Sequence, residues 1–287
     1  DMFTHPATTA NLTALRERGV HVIEPEEGEL ASGLEGKGRL ADPVRIREEL
    51  TAWFRTQAPL LGHHALITVG PTHEPVDAVR FLGNRSSGRQ GVAIAMELAR
   101  RGMTVDLIAG PIDLDTDHPG IRRHDVQTAL DMDAAAQSAL QSHAPDVIIG
   151  TAAVADVRPS SPMDGKAAKD ELPDGIALTE NPDILAGLNA AAPAECLKIG
   201  FALAHDDGLE AALRKRERKG CDLVVLNSLA DKGAGFGHTT NRVRFVHGPD
   251  RIDSFELKSK EAVAVDLAEV IQTRLRQRPP RSAAPAD

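Results

Sequence analysis

The runs ALITVG, residues 65 to 70, and TVDLIAG, residues 104 to 110, bracket a helical pattern over residues 88 to 101 and so spell out a βαβ unit. Each run is short, mostly apolar and closed by glycine, as expected of a strand buried on both faces. Working outward, DVIIGTAAV (146 to 154), LKIGFAL (197 to 203) and DLVVLN (222 to 227) read as further strands, with a helix over 207 to 219 ahead of the last. RVRFV (242 to 246) and IDSFEL (252 to 257) flank Gly248-Pro249-Asp250 and read as an antiparallel hairpin, followed by an amphipathic helix over 259 to 275. The expected fold class is α/β: a Rossmann-like, mostly parallel sheet with helices on both faces and an antiparallel hairpin near the C-terminus.

Upstream, residues 6 to 18 and 44 to 55 read as helices, His21 to Ile23 as a short strand, and Gly28 to Gly38 as a glycine-rich stretch. Those elements are too few for a comfortable domain and read as the tail of one. Three segments are expected: 1–60, the end of a preceding domain; 61–277, a main domain; and 278–287, RPPRSAAPAD, a frayed tail. Asp1 is not a natural initiator, so the chain is expected to begin inside a longer reading frame.

Composition narrows the function classes. An apolar fraction of 41% over 287 residues suits a globular interior. No apolar run approaches the roughly 20 residues of a membrane-spanning helix, and no signal peptide is visible, so a cytoplasmic protein is expected. The net charge of −9 and an aromatic content of 3% argue against a nucleic-acid binder. Cys196 and Cys221 read as buried thiols rather than a disulfide framework. No metalloprotease spacing and no nucleophile elbow occur.

Ligands of open α/β sheets sit beyond the carboxyl ends of the strands. After the first strand comes RFLGNRSSGRQG, Arg80 to Gly91, in which Ser86, Ser87 and Gly88 precede a helix start able to hold an anion. A plain serine cap fits the local pattern equally well. The stretch lacks the dinucleotide fingerprint. Arg80, Arg85 and Arg89 repel one another without an anion or carboxylate partners. Asn84 is either a turn residue or an uncharged donor to a carbonyl or oxyanion. Small residues Gly150, Thr151 and Ala152 either admit a ligand to the backbone, with Asp156 offering an acceptor, or form a tightly packed strand end. Lys166 and Lys169 follow a loop, Pro159 to Gly165. Lys215 and Lys219 share one helix face, an exposed basic face or a polyphosphate clamp. Phe201 is a core residue or a contact to a base.

In order, ITVGPTHEPVDAVRFLGNRSSGRQG, TAAVADVRP with a later KAAK, NPDILAG, IGFAL and KRERKGCDLVVLN resemble the synthetase part of the bacterial phosphopantothenoylcysteine decarboxylase/synthetase family. That resemblance implies a ligase of coenzyme A biosynthesis. It would join 4′-phosphopantothenate to L-cysteine with CTP through an acyl-cytidylate, releasing pyrophosphate and CMP, with Mg2+ on the triphosphate. It implies catalytic roles for Asn84, Arg80 and Lys166. It implies CTP contacts from Gly150, Thr151, Ala152, Asp156, Lys166, Pro182, Asp183, Ile184, Leu185, Phe201, Lys215 and Lys219, and a homodimer without nucleic-acid or membrane partners. Ser86, Ser87 and Gly88 remain the anion loop. HPATTANL and EEGELASGLEGKGRLADP resemble the end of the decarboxylase half. FMN is then expected only with an upstream domain, and Ser32 stands where the family has a proton-donating cysteine. This chain by itself is not expected to decarboxylate. Ala204 and Gly83 depart from the family pattern, and a catalytically lapsed regulatory or assembly subunit is the alternative.

Overall fold

The computed structural model describes residues 3–30, 33, 35–166, 175–204, 207–228 and 238–277. Ser32, Lys169 and the expected tail 278–287 lie outside them. Backbone contacts divide the chain into two compact units, Asp1–Leu61 and Gly62–Asp287.

In the first unit, α1 (Pro6–Glu17) starts where proline stands in the first turn and the His5 side chain accepts from the Ala7 N–H. The expected strand at His21 to Ile23 is absent. Its apolar residues are too few to secure a partner, and the strands are instead β1 (Glu26–Glu29) and β2 (Glu35–Arg39), an antiparallel pair built from the glycine-rich stretch. Helix α2 (Pro43–Thr56) completes the unit.

The second unit carries the expected α/β architecture. Its core is an eight-stranded sheet fed in turn by β3 (His64–Val69), a small hairpin of β4 (His73–Pro75) and β5 (Phe81–Gly83), α3 (Arg89–Arg100), β6 (Thr104–Ala109), β7 (Ile121–Asp125), α4 (Ala129–Ser142) and β8 (Val147–Gly150). A second hairpin follows, β9 (Val157–Pro159) with β10 (Leu178–Glu180), then α5 (Ile184–Ala191), β11 (Leu197–Ala204), α6 (Leu209–Arg218) and β12 (Leu223–Ser228). The chain ends through β13 (Thr240–Asn241), β14 (Val243–Gly248), β15 (Arg251–Ser254), β16 (Lys258–Ser259) and α7 (Lys260–Arg276). Strand order in the large sheet is β15-β14-β12-β11-β8-β3-β6-β7. The strands from β12 to β7 are parallel, while β14 and β15 run antiparallel, the expected C-terminal hairpin.

In-register residues of parallel neighbours share a face. Leu66, Ile148, Ile108 and, farther along, Val224 and Leu226 therefore face the same side. Leu66, Ile108 and Ile148 pack there with residues of α4 and α5, and Val224 and Leu226 with residues of α6. Helices α3 and α7 pack on each other across the opposite face. The strand expected over 146–154 stops at Gly150, because the next residues leave the ladder to line a cleft; a lone bridge pairs Pro71 with Ala153.

The amino edge of the sheet holds a polar cluster. The Asp106 carboxylate, buried, meets His64 Nε2 at 2.8 Å, His124 Nε2 at 3.0 Å, Arg122 Nε at 3.3 Å and His143 Nδ1 at 3.8 Å. Burial pulls the Asp106 carboxyl upward, but the His124 hydrogen bond, Arg122 and His64 outweigh it and hold it below its usual value. Burial pushes His64 below the usual imidazole value, against the pull of Asp106. A histidine lowered in the folded state binds its proton first in the unfolded chain, so its contribution is complete above about pH 6.5 and is lost as pH falls. The lowered Asp106 adds a further loss below about pH 4. Stability is therefore expected to fall between pH 7 and pH 5.5, and Asp106→Asn to lower it by about 2–3 kcal/mol at pH 7. Urea midpoints of both proteins at the two pH values check this. A wild-type midpoint that does not move would contradict the assignment.

Candidate functional site

A cleft of about 890 Å³ opens at the carboxyl ends of β3, β8 and β11. Its floor follows from glycines. A Cβ on Gly91 would lie 2.2 Å from Thr151 Oγ1 and 2.6 Å from Val69 Cγ2, so only glycine lets α3 begin this close to the strand ends. Gly150 and Gly200 likewise make room for Leu185, whose atoms would stand 2.9 Å and 3.3 Å from added Cβ atoms. Thr151 Oγ1 donates to the Thr68 carbonyl at 2.7 Å, and the Ala155 N–H donates to Thr72 Oγ1 at 3.0 Å.

The structure draws together residues that the sequence scatters over more than a hundred positions. Asn84, Ser86, Ser87 and Gly88 line one side; Gly150, Thr151, Ala152 and Asp156 the floor; Pro182, Asp183, Ile184, Leu185, Phe201, Lys215 and Lys219 the other side. Two expected residues are not in the lining. Arg80 sits on the β4–β5 turn, its Nη1 donating at 2.6 Å to Asp77 Oδ2, while Asp77 Oδ1 accepts from the Val79 and Arg80 N–H groups at 2.7 Å each. Asp77 thus supplies a carboxylate partner for Arg80, one of the three crowded arginines. Lys166 is exposed and stands outside the cleft. Neither serine caps α3: its N-cap is Gly88 in the left-handed region, φ 69°, with no side-chain cap, and Ser86 Oγ instead accepts from the Gly88 N–H at 3.3 Å. Asn84 Nδ2 donates to the Val154 carbonyl at 2.8 Å, tying the end of the hairpin to the cleft floor. A Cβ on Gly83 would lie 2.6 Å from the Thr72 carbonyl oxygen, so the hairpin closes tightly only with glycine there.

Cations collect on the α6 side. Lys215 Nζ donates to the Phe201 carbonyl at 2.6 Å, and Lys219 Nζ pairs with Asp183, which caps α5 by accepting from the Ala186 N–H at 3.1 Å. Burial, reinforced by repulsion from Lys219, pushes the Lys215 ammonium below the usual lysine value. For Asp183, burial acts upward, and the hydrogen bonds from Lys219 and Ala186 more than reverse it. A partly buried ammonium beside a second lysine and Arg218 is poorly compensated by one carbonyl and one carboxylate, and an anionic ligand would restore the balance. Arg218, Asn227, Asn241, Gln90 and Lys260 also line the cleft and escaped sequence reading. Arg218 lay inside KRERK, where spacing drew notice to the lysines alone. Gln90 lies in the expected helix 88–101 and Lys260 in the expected amphipathic helix 259–275, where neither stands out. Cys196 and Cys221 are buried and unbridged, as expected.

Comparison with known proteins supplies the family. Residues 60–275 match the model described as DNA/pantothenate metabolism flavoprotein C-terminal domain. The chain is 44% identical over 277 residues to a cysteine/cysteine sulfinic acid decarboxylase of an unknown prokaryotic organism, covering 95% of this chain and 77% of that protein. It is 38% identical over 279 residues to the coenzyme A biosynthesis bifunctional protein CoaBC of Escherichia coli K12, covering 95% and 67%. A crystal structure of the C-terminal domain of a CoaBC superposes with a TM-score of 0.65 at 32% identity, covering 77% of this chain and all of that one.

These findings correct the expected ligase assignment. The matching family is described as a flavoprotein domain and the 44% relative as a decarboxylase, and neither description names a ligase or CTP. Membership in the synthetase part, CTP-dependent ligation, CTP with Mg2+, the cysteine-plus-phosphopantothenate substrate set and the partner list drawn from them are withdrawn, along with the lapsed-subunit alternative. The motifs that suggested them line a cleft rich in cations and small residues, and such a cleft does not fix the reaction. The group that the family's description implies is a flavin. The phosphate of FMN fits the lysine side of the cleft. For its ring the lining offers one aromatic side chain, Phe201, among small, aliphatic, amide and charged residues in an open cleft, so the described residues would not enclose it and no step is derived through it. Among the described residues no helix is long and apolar enough to cross a membrane. With a family model matched over residues 60–275 and relatives of such identity and coverage, this chain belongs to the DNA/pantothenate metabolism flavoprotein family, which it joins through that family's C-terminal domain.

Proposed function

We propose that this chain serves coenzyme A biosynthesis as part of a flavin-linked enzyme that decarboxylates a cysteine-derived carboxylate, and that its cleft holds the phosphorylated end of that substrate, 4′-phosphopantothenoylcysteine. The decarboxylation comes from the relatives' names; the observation that carries the ligand is the meeting of Lys215, Arg218 and Lys219 at the carboxyl edge of the sheet. In this reading Lys215 and Lys219 neutralise the phosphate, the free N–H groups at the start of α3 add partial positive charge, and Asn84 and Thr151 orient the remainder. Such an enzyme works in the cytoplasm, where its two buried thiols stay reduced.

The test is calorimetric. The purified chain is expected to bind 4′-phosphopantothenoylcysteine one to one, and pantothenoylcysteine, which lacks the phosphate, at least tenfold more weakly. Equal affinity for the two would refute the phosphate assignment. Release of carbon dioxide from the bound conjugate by the enzyme supplied with FMN supports the decarboxylase reading, and its absence with flavin bound would remove it.

A further inference from the structure

Helix α6 carries the lysines of the cleft on a slender footing. Residues 214 to 219 read Arg-Lys-Arg-Glu-Arg-Lys, five cations in six positions, and Ala212 is the one fully buried residue of the helix. Like charges along so short a helix repel one another and favour fraying of its last turn, although the carboxyl end of the helix dipole offsets part of this. Lys215 and Lys219 stand one turn apart on that stretch, so the placement of the end of α6 decides where both ammonium groups reach.

That end is held from α5. Asn189, 3% exposed, donates from Nδ2 at 2.8 Å to the carbonyl of Lys219, the residue that caps α6. Carbonyls at a helix end have no partner within the helix, so this one depends on what lies alongside. The same Nδ2 stands 3.5 Å from Cys221 Sγ, a weaker acceptor. Asp183, at the start of α5, takes the Lys219 ammonium. Helix α5 therefore grips Lys219 twice, by its side chain near one end of α5 and by its main chain near the other. Leu185, one turn before Asn189 on the same face, packs against Gly150 and Gly200 in the cleft floor. Asn189 Oδ1 is buried and has no hydrogen-bond partner among the described residues. A covered, unmatched oxygen is costly, so packing alone favours an apolar side chain of that size. What the amide contributes is its Nδ2 bond.

We propose that Asn189 is a positioning residue of the cleft: by holding the carboxyl end of α6 against α5, it sets Lys215 and Lys219 where one phosphate meets both. The inference rests on the reading that these lysines hold the phosphorylated end of the ligand. It deepens that reading by assigning their alignment to a residue that lines no part of the cleft.

Asn189→Leu removes the bond and the unmatched oxygen together. By calorimetry it is expected to weaken 4′-phosphopantothenoylcysteine about tenfold, through the ordering of one or two lysine side chains that the wild type holds in place beforehand. Carbon NMR of the lysine Cε atoms gives a readout that needs no ligand. The Lys215 resonance, identified by its loss in Lys215→Met, should titrate below the usual lysine value in the wild type. In Asn189→Leu it should move toward that value, as the freed end of α6 carries the ammonium into water. A loss of global stability by itself leaves the native titration where it was. Cys221→Ala, which spares the bond to the carbonyl, should match the wild type in both measurements. Asn189→Ala adds no bulk and takes the place of the leucine variant if leucine does not fit. The role is overturned by an unmoved Lys215 titration, by a moved titration with undiminished affinity, by a Cys221→Ala protein that reproduces the shift, or by failure of both Asn189 variants to fold. A wild-type chain that does not bind the conjugate would reject the function proposed above, and the Lys215 titration would still decide this role.

Discussion

An alanine at position 110 is expected to lower the thermal midpoint of the Gly62–Asp287 unit by about 6–12 °C, from a loss of about 3 kcal/mol. A Cβ on Gly110 would stand 1.7 Å from the Pro71 carbonyl oxygen, a backbone atom that no rotamer change can move aside. Beyond β3 the chain crosses back over the end of β6, with the Gly110 N–H donating to the Val69 carbonyl at 2.9 Å. Gly70 makes the turn at φ 83°, where a side chain would also meet Ile112. Displacing Pro71 breaks its bridge to Ala153 and drags on the Thr72–Ala155 hydrogen bond, both part of the cleft floor. Calorimetric unfolding with a parallel ligand titration reads both effects. A midpoint shift under about 2 °C would show that the crossing yields at little cost.

Lys215→Met is expected to weaken 4′-phosphopantothenoylcysteine by about 10- to 100-fold, the equivalent of one charge-assisted hydrogen bond of about 1.5–3 kcal/mol. The same substitution should leave the unliganded protein as stable as before or more so, because it removes an ammonium that burial and Lys219 both disfavour. The sign of the pH dependence separates the two contributions. A lysine lowered in the folded state is the more protonated in the unfolded chain, so wild-type stability gains from this group as pH rises through the folded value toward about 10.4. The methionine variant loses that slope. Lys219→Met behaves otherwise, because it strands Asp183 at the start of α5 and should cost stability as well as affinity. Chemical denaturation across pH 7–10 and calorimetry distinguish them. A Lys215→Met protein that is both destabilised and undiminished in affinity would remove Lys215 from the site.

The buried parallel strands were legible because burial on both faces demands apolar runs, and Ala65–Val69, Val105–Ala109 and Val147–Ile149 have no competing pattern. Edge strand β7 reads Ile-Arg-Arg-His-Asp and carries no such run; its register comes from pairing with β6 and from the Asp106 cluster. Helix α4 mixes alanines with polar residues and few large apolar ones, so its buried stripe of Ala129, Met132, Ala136, Ala139 and Leu140 stands out only once the sheet beneath it is known. Strands β1 and β2 contain no large apolar residue, whereas the His21–Ile23 stretch, which looks more like a strand, joins neither of them. At the site, motifs near strand ends were found because topology places ligands there. Lys260 and Asn241 were hidden because their approach depends on the packing of α7 against α3. The reaction is not legible in the sequence, because lysines and small residues report which charges a cleft accepts and are silent on the bond that is broken.

The order of strands has a consequence for synthesis. Strands β3, β6, β7 and β8 lie within residues 64–150 and form one contiguous half of the large sheet, whereas β11, β12, β14 and β15 add outward from β8 in the order in which they are made. A chain leaving the ribosome therefore closes its central parallel block first and always presents one open edge to the next strand. On that side β15 is the outermost strand of the described sheet. Its sequence, Arg-Ile-Asp-Ser, places charge on that terminal edge, where it discourages pairing with a neighbouring molecule.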